Sequence, residues 1–160
     1  MTTLLRKGAF MNNHLLEQIK NGILDVSRRY FKQVYVYDYK NGNSVKKFAE
    51  NHSLPYINVN IEMSQLIRDV PINSRTYRIA EAFQQLIDKD QNDVICLDYY
   101  ELLFEPSLAI DPLLLIKNSS RNKTLIISWR GTISGNTFIY AEPGHPEYKK
   151  YRVQDALIIT

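Results

Sequence analysis

Three short apolar runs constrain the fold of this chain more than any other feature. Residues 33–38 include Val34, Tyr35 and Val36, residues 93–98 read DVICLD, and residues 124–129 read TLIISW. A strand with one wet face alternates polar and apolar side chains, whereas these runs are apolar from residue to residue. They are too short for core helices, so they read as strands buried on both faces. Segments with helical spacing lie between them. Strand–helix alternation of this kind builds a mostly parallel sheet flanked by helices, and the expected fold class is α/β.

The helical segments carry their own signals. Residues 13–31 place Leu15, Leu16, Ile19, Ile23, Leu24 and Val26 on a rough stripe, weakened by Gly22. Ser44 opens a helix-like stretch to His52. Residues 56–60, YINVN, read as a strand after Pro55, and residues 61–70 as a short helix stopped by Pro71. Asn73 is placed to cap a helix to about Asp88, with Tyr77, Ala80, Phe83, Leu86 and Ile87 on one face. Asp111 and Pro112 suit the cap and first position of a helix over 111–118. Residues 137–142, after a Ser-Gly-Asn turn, and residues 155–159 complete the expected strands. The organisation expected is an N-terminal helical segment, 1–32, and one α/β domain, 33–160.

A chain of 160 residues can bury a substantial core. Its net charge of +3 does not by itself argue for nucleic acid. The single cysteine, Cys96, excludes an internal disulfide framework and reads as a buried strand residue. No apolar run approaches the ~18 residues of a membrane span. The opening MTTLLRKGAF lacks the apolar region and cleavage site of a signal peptide. The expectation is a soluble, cytoplasmic chain with no membrane partner.

In open parallel sheets, ligands sit beyond the carboxyl ends of the strands. Polar groups follow three strands here: Asp38 to Ser44, then Asp98 with Glu101, then Ser128 to Arg130. The first of these, in VYVYDYKNGNS, lies where a nucleotide-binding protein keeps the loop G-x-x-x-x-G-K-[ST]. On that pattern Tyr37 takes the first glycine, Gly42 the second, Asn43 the lysine and Ser44 the hydroxyl. Asn41, Gly42, Asn43 and Ser44 are thus candidates for phosphate binding through backbone N–H groups. Asn43 brings no charge, which removes a charge-assisted contact worth on the order of 1.5–3 kcal/mol. Lys40, Lys46 and Lys47 are the available substitutes, Lys47 leaning back toward the helix start. The competing reading is a plain Asn-Gly turn between strand and helix.

Asp98 ends an apolar strand, and Glu101 follows three residues on. An acid there can order magnesium together with a loop hydroxyl such as that of Ser44, and a nearby glutamate can polarise water. The competing reading is an acid that caps the next turn. Arg121, in NSSRNK, is a candidate to reach a neighbouring subunit's nucleotide, and Arg130, in SWRG, is a candidate phosphate sensor. From spacing alone, a solvated loop arginine explains the first better. Arg68, Arg75 and Arg78 form a modest basic cluster. Glu142, His145 and Glu147 lack a further ligand at metal spacing and read as a rigid loop.

LPYINVNIEMSQLI, the block from Asp98 to Leu113, and YAEPGHPEY resemble the BrxF family, the small P-loop proteins of type III BREX phage-defence systems. The resemblance runs from about Val34 to Tyr151. It implies a P-loop NTPase-like fold related to the AAA and STAND groups. It also implies a Walker A role for Asn41 to Ser44 and a Walker B role for Asp98 and Glu101. The partners it implies are a larger BREX ATPase and other defence-system proteins. The sequence departs from that family's G-K-[ST] loop, which it replaces with NGNS. Three functions follow as expectations: a subunit with a degenerate ATP site that assembles with a partner ATPase or with itself; an active Mg-ATPase using another lysine; and a DNA-binding adaptor.

Overall fold

A computed structural model of the chain describes the backbone of residues 2–39 and 41–160 and the side chains from residue 13 onward, Lys40 excepted. A long helix, α1 (Thr2–Val26), leads into β1 (Gln33–Tyr37), α2 (Ser44–Asn51), β2 (Tyr56–Asn58) and α3 (Val59–Ile67). Then come α4 (Arg75–Asp88), β3 (Val94–Asp98), α5 (Pro112–Ser119) and β4 (Thr124–Trp129). The chain finishes with β5 (Thr132–Ser134), β6 (Thr137–Tyr140), β7 (Lys149–Arg152) and β8 (Leu157–Ile159).

Five strands form one sheet in the order β2-β3-β4-β1-β8, and every neighbouring pair is parallel. Both faces are covered, as the unbroken apolar runs require. On one face Val34 and Val36 of β1, Cys96 of β3 and Ile126 of β4 pack with Ile19 and Val26 of α1 and with Val45 and Phe48 of α2. On the other, Tyr35, Ile95, Leu97, Leu125 and Ile127 pack against α3, α4 and α5. The N-terminal helix is thus built into the α/β core. Gly22 is what lets it come close: a Cβ there would lie 2.8 Å from Leu157 and 3.5 Å from Val34.

The start of α5 is as expected. Asp111 caps α5, its Oδ1 accepting from Leu113 N and Leu114 N, with Pro112 in the first turn. The α4 start differs: a 3₁₀ turn, Ile72–Ser74, precedes Arg75, and no side chain caps the helix. The strand expected over 56–60 ends at Asn58, which also caps α3 through Ile61 N, so Val59 and Asn60 are helical.

The strand expected over 137–142 departs most from expectation. Residues 137–140 do not join the parallel sheet. They form the centre of a separate antiparallel sheet, β5-β6-β7, inserted between β4 and β8. Phe138 of β6 is fully buried against Tyr35 and Trp129, so this small sheet lies over the α3–α5 side of the large one. Among the described residues no helix is long and apolar enough to cross a membrane.

Candidate functional site

The register of the parallel sheet brings the three polar strand ends together. Val36 pairs with Ser128, Tyr37 with Trp129, and Leu97 with Ile127. Asp38 and Asp98 therefore flank the end of β4 from either side. Each is almost completely buried, and each is satisfied by this chain's own groups.

Asp38 is 2 % exposed. Its Oδ1 accepts from Ser44 N at 3.0 Å, and its Oδ2 accepts from Val45 N at 3.3 Å and from Ser128 Oγ at 3.1 Å. Ser44 and Val45 open α2, so the carboxylate sits on the N–H groups that a helix start leaves without partners. A negative group there is also favoured by the helix dipole. Asn43, at the cap position, makes no side-chain cap bond of its own. Gly42 is required for the same reason. A Cβ at residue 42 would lie 2.6 Å from Asp38 Oδ1 and 3.2 Å from the Asp38 backbone. The glycine of this loop accommodates an internal carboxylate.

Asp98 is fully buried and receives four hydrogen bonds. Arg130 donates from Nε to Oδ1 at 2.9 Å and from a terminal nitrogen to Oδ2 at 2.8 Å. Tyr99 N donates to Oδ1 at 2.8 Å, and the Tyr56 hydroxyl to Oδ2 at 2.6 Å. Four donors match the four lone-pair positions of a carboxylate. The bidentate ion pair holds the Arg130 pKa above its ordinary value. Burial first, and then the bond to Asp98, raise that of Tyr56. Arg130 also lies over the Tyr99 ring at 4.3 Å, and Tyr99 has a left-handed backbone with φ +48°. Such a conformation in a tyrosine is strained and is held by the bonds on either side.

Glu101 opens a 3₁₀ turn after Asp98, and its Oε2 accepts from Asn60 Nδ2 at 2.6 Å. Asn60 Oδ1 accepts in turn from Leu102 N at 2.8 Å. Beside these groups lies a cleft of about 320 Å³ with an aromatic wall of Tyr99, Tyr100, Phe104, Trp129 and Tyr140. Phe104 and Tyr140 stack with ring centres 3.9 Å apart, and the Tyr100 hydroxyl donates to Ser128 O at 2.7 Å.

The structure thus gathers Ser44, Asp98, Glu101 and Arg130 at one edge of the sheet, with Asn41, Gly42 and Asn43 in the loop beside them. Arg121 is elsewhere. It precedes β4, at the opposite edge, and lies over the rings of Tyr30 and Phe31 at 5.4 and 5.7 Å. Lys47 is half-buried on α2 and Lys46 is exposed, while Lys40 lies outside the described residues. Arg68 and Arg78 are exposed, and Arg75 donates to Val70 O at 3.0 Å. His145 sits in a tight turn, its Nδ1 accepting from Glu147 N at 3.1 Å.

These residues do not fit Mg-ATP held in the P-loop manner. The N–H groups that would receive a phosphate already bond to Asp38, and the oxygens of Asp98 that would face magnesium already bond to Arg130. Sequence reasoning placed Asp38 in the loop without giving it a role. The signal available was an acid directly after β1 facing a loop that had lost its lysine.

Compared with known proteins, the chain matches no family model, no curated protein and no solved structure.

Proposed function

We propose that this chain is a P-loop NTPase-like scaffold whose nucleotide position is filled by its own carboxylate, and that it works by assembly rather than hydrolysis. The observation that carries the reading is Asp38, bonded to Ser44 N, Val45 N and Ser128 Oγ. A carboxylate in that position supplies the negative charge a phosphate would otherwise bring. It does so at no cost in association entropy, because it is tethered six residues from its first partner. The Asp98–Arg130 pair supports the same reading, since a magnesium-binding acid would be held open to the cleft rather than closed by an arginine.

The sheet order supports the fold-level part. One strand, β4, separates the loop-bearing β1 from the acid-bearing β3. That is the arrangement expected of the AAA- or STAND-related scaffold that the resemblance implies, an analogy of fold alone. By the same resemblance, the setting is bacterial anti-phage defence, with a larger BREX ATPase as the partner. DNA contact is a subsidiary reading. It is favoured by Tyr77, 84 % exposed, beside the exposed Arg78 on α4.

Calorimetric titration of the purified chain with Mg-ATP tests the central statement. No saturable heat is expected up to millimolar nucleotide. Micromolar binding, or magnesium-dependent turnover lost in Asp98→Ala, would replace this reading with that of an active ATPase. Assembly is tested separately. Arg121→Glu is expected to weaken complex formation or stimulation of the partner ATPase, and unchanged behaviour would remove Arg121 from the account.

A further inference from the structure

A second cavity lies away from the cleft, between α5, the start of β1 and β7. Its volume is about 320 Å³. Four cationic residues line it: Lys117 from α5, and Lys149, Lys150 and Arg152 from β7. Lys117 pairs with Asp155 at 3.0 Å, while Lys150 and Arg152 are exposed along the strand. Asp111 is the acidic group in the lining, and its Oδ1 is engaged as the α5 cap.

Two observations distinguish this cavity from an ordinary basic surface. Tyr35 forms part of its wall, is 1 % exposed, and has a hydroxyl with no hydrogen-bond partner. It is the single such buried side-chain atom among the described residues. Native structures rarely leave a buried hydroxyl unmatched, and an anion absent from the structure is one explanation of such a group. The second observation is the free edge of β7. Val153 N donates to Asn136 O at 2.8 Å, and the β6–β7 register pairs Thr137 with Arg152. Antiparallel strands alternate bonded and non-bonded pairs, so the N–H groups of Lys150 and Arg152 point away from β6. Since β7 is the last strand of its sheet, they have no ladder partner among the described residues.

We propose that this cavity binds a compact phosphate-bearing anion. Lys150 and Arg152 supply charge and edge N–H donors, and the Tyr35 hydroxyl donates to an anion oxygen at the cavity wall. The site is separate from the Asp38 loop, so it stands whether or not the loop binds nucleotide.

The probe is inorganic pyrophosphate, titrated calorimetrically into the full chain at matched ionic strength. Wild type is expected to show saturable binding to one site. Lys150→Ala with Arg152→Ala, both exposed and tolerant of truncation, should weaken it at least 10-fold. Tyr35→Phe keeps the ring against Phe138, so it should fold, melt no lower than wild type without the anion, and bind about 10-fold more weakly. Absence of saturable binding overturns the proposal. So does binding that the double variant weakens but Tyr35→Phe leaves unchanged, because that is attraction to exposed cations alone. Displacement of bound pyrophosphate by a short single-stranded oligonucleotide would identify a backbone phosphate as the source of the anion. Failure of the oligonucleotide to compete would identify a free one.

Discussion

Replacing Arg130 with methionine should cost more stability than its place on the cleft suggests. Methionine keeps most of the apolar stem and removes the guanidinium. Asp98, fully buried, would then keep only the Tyr56 hydroxyl and Tyr99 N as donors. Two charge-assisted bonds are lost, each worth about 1.5–3 kcal/mol. Removing one partner of a buried ion pair costs about 3–5 kcal/mol by comparison with other proteins. The Arg130 side chain is 14 % exposed, so some solvent screens the pair and the lower end applies. A loss of about 3 kcal/mol is expected, and for a domain of this size that lowers Tm by about 6–12 °C. Asp98→Asn should cost a similar amount, and the double variant clearly less than the sum of the two. Urea denaturation of the four proteins measures this as a double-mutant cycle. An Arg130→Met cost below about 1 kcal/mol, with additive singles, would refute the claim that the pair closes this acid.

Further outcomes follow from the same contacts. Gly42→Ala should destabilise by about 1–3 kcal/mol through its clash with Asp38, and removing the Asp38 side chain should relieve part of that cost; urea midpoints of both variants measure it. Tyr56→Phe removes a donor to a buried carboxylate and should cost about 1.5 kcal/mol in the same assay. Asp111→Ala leaves two N–H groups of α5 uncapped and should cost about 1 kcal/mol, read as loss of thermal stability. Stability should also fall at alkaline pH. Burial pushes the Cys96 thiol up to about 12, and burial with the Asp111 charge pushes Tyr151 up to about 12. In the unfolded chain these groups lose their protons first, from their ordinary values of 9.0 and 10.0. Their contribution is therefore complete below about pH 9 and lost as pH rises toward 12. Urea midpoints that hold level from pH 8 to 11 would contradict this.

The sequence disclosed most of the large sheet because its strands are buried on both faces and so carry an unbroken apolar signal. The α5 cap was legible because Asp111 and Pro112 act on neighbouring residues. The small sheet was not. Only Tyr151 of the four residues of β7 is buried, and none of the three in β5 is, so neither shows a pattern over so short a span. Val59 and Asn60 read as strand because a three-residue strand running straight into a helix leaves no room for punctuation. The site divided in the same way. Asp98 stood out as an acid ending an apolar strand. Its partner Arg130 lies 32 residues on, and Ser128 lies 90 residues from Asp38. Both pairings exist because β4 lies between β1 and β3, and local sequence does not encode strand order.

The central claim is that Asp38 stands where a phosphate would stand. The measurement that tests it most directly is calorimetric titration of Mg-ATP into wild type and into a variant carrying Asp38→Gly with Asn43→Lys. That variant clears the α2 N-terminus and restores the missing charge. No binding by wild type and saturable binding by the variant are expected. Binding by wild type with an affinity equal to the variant's would contradict it.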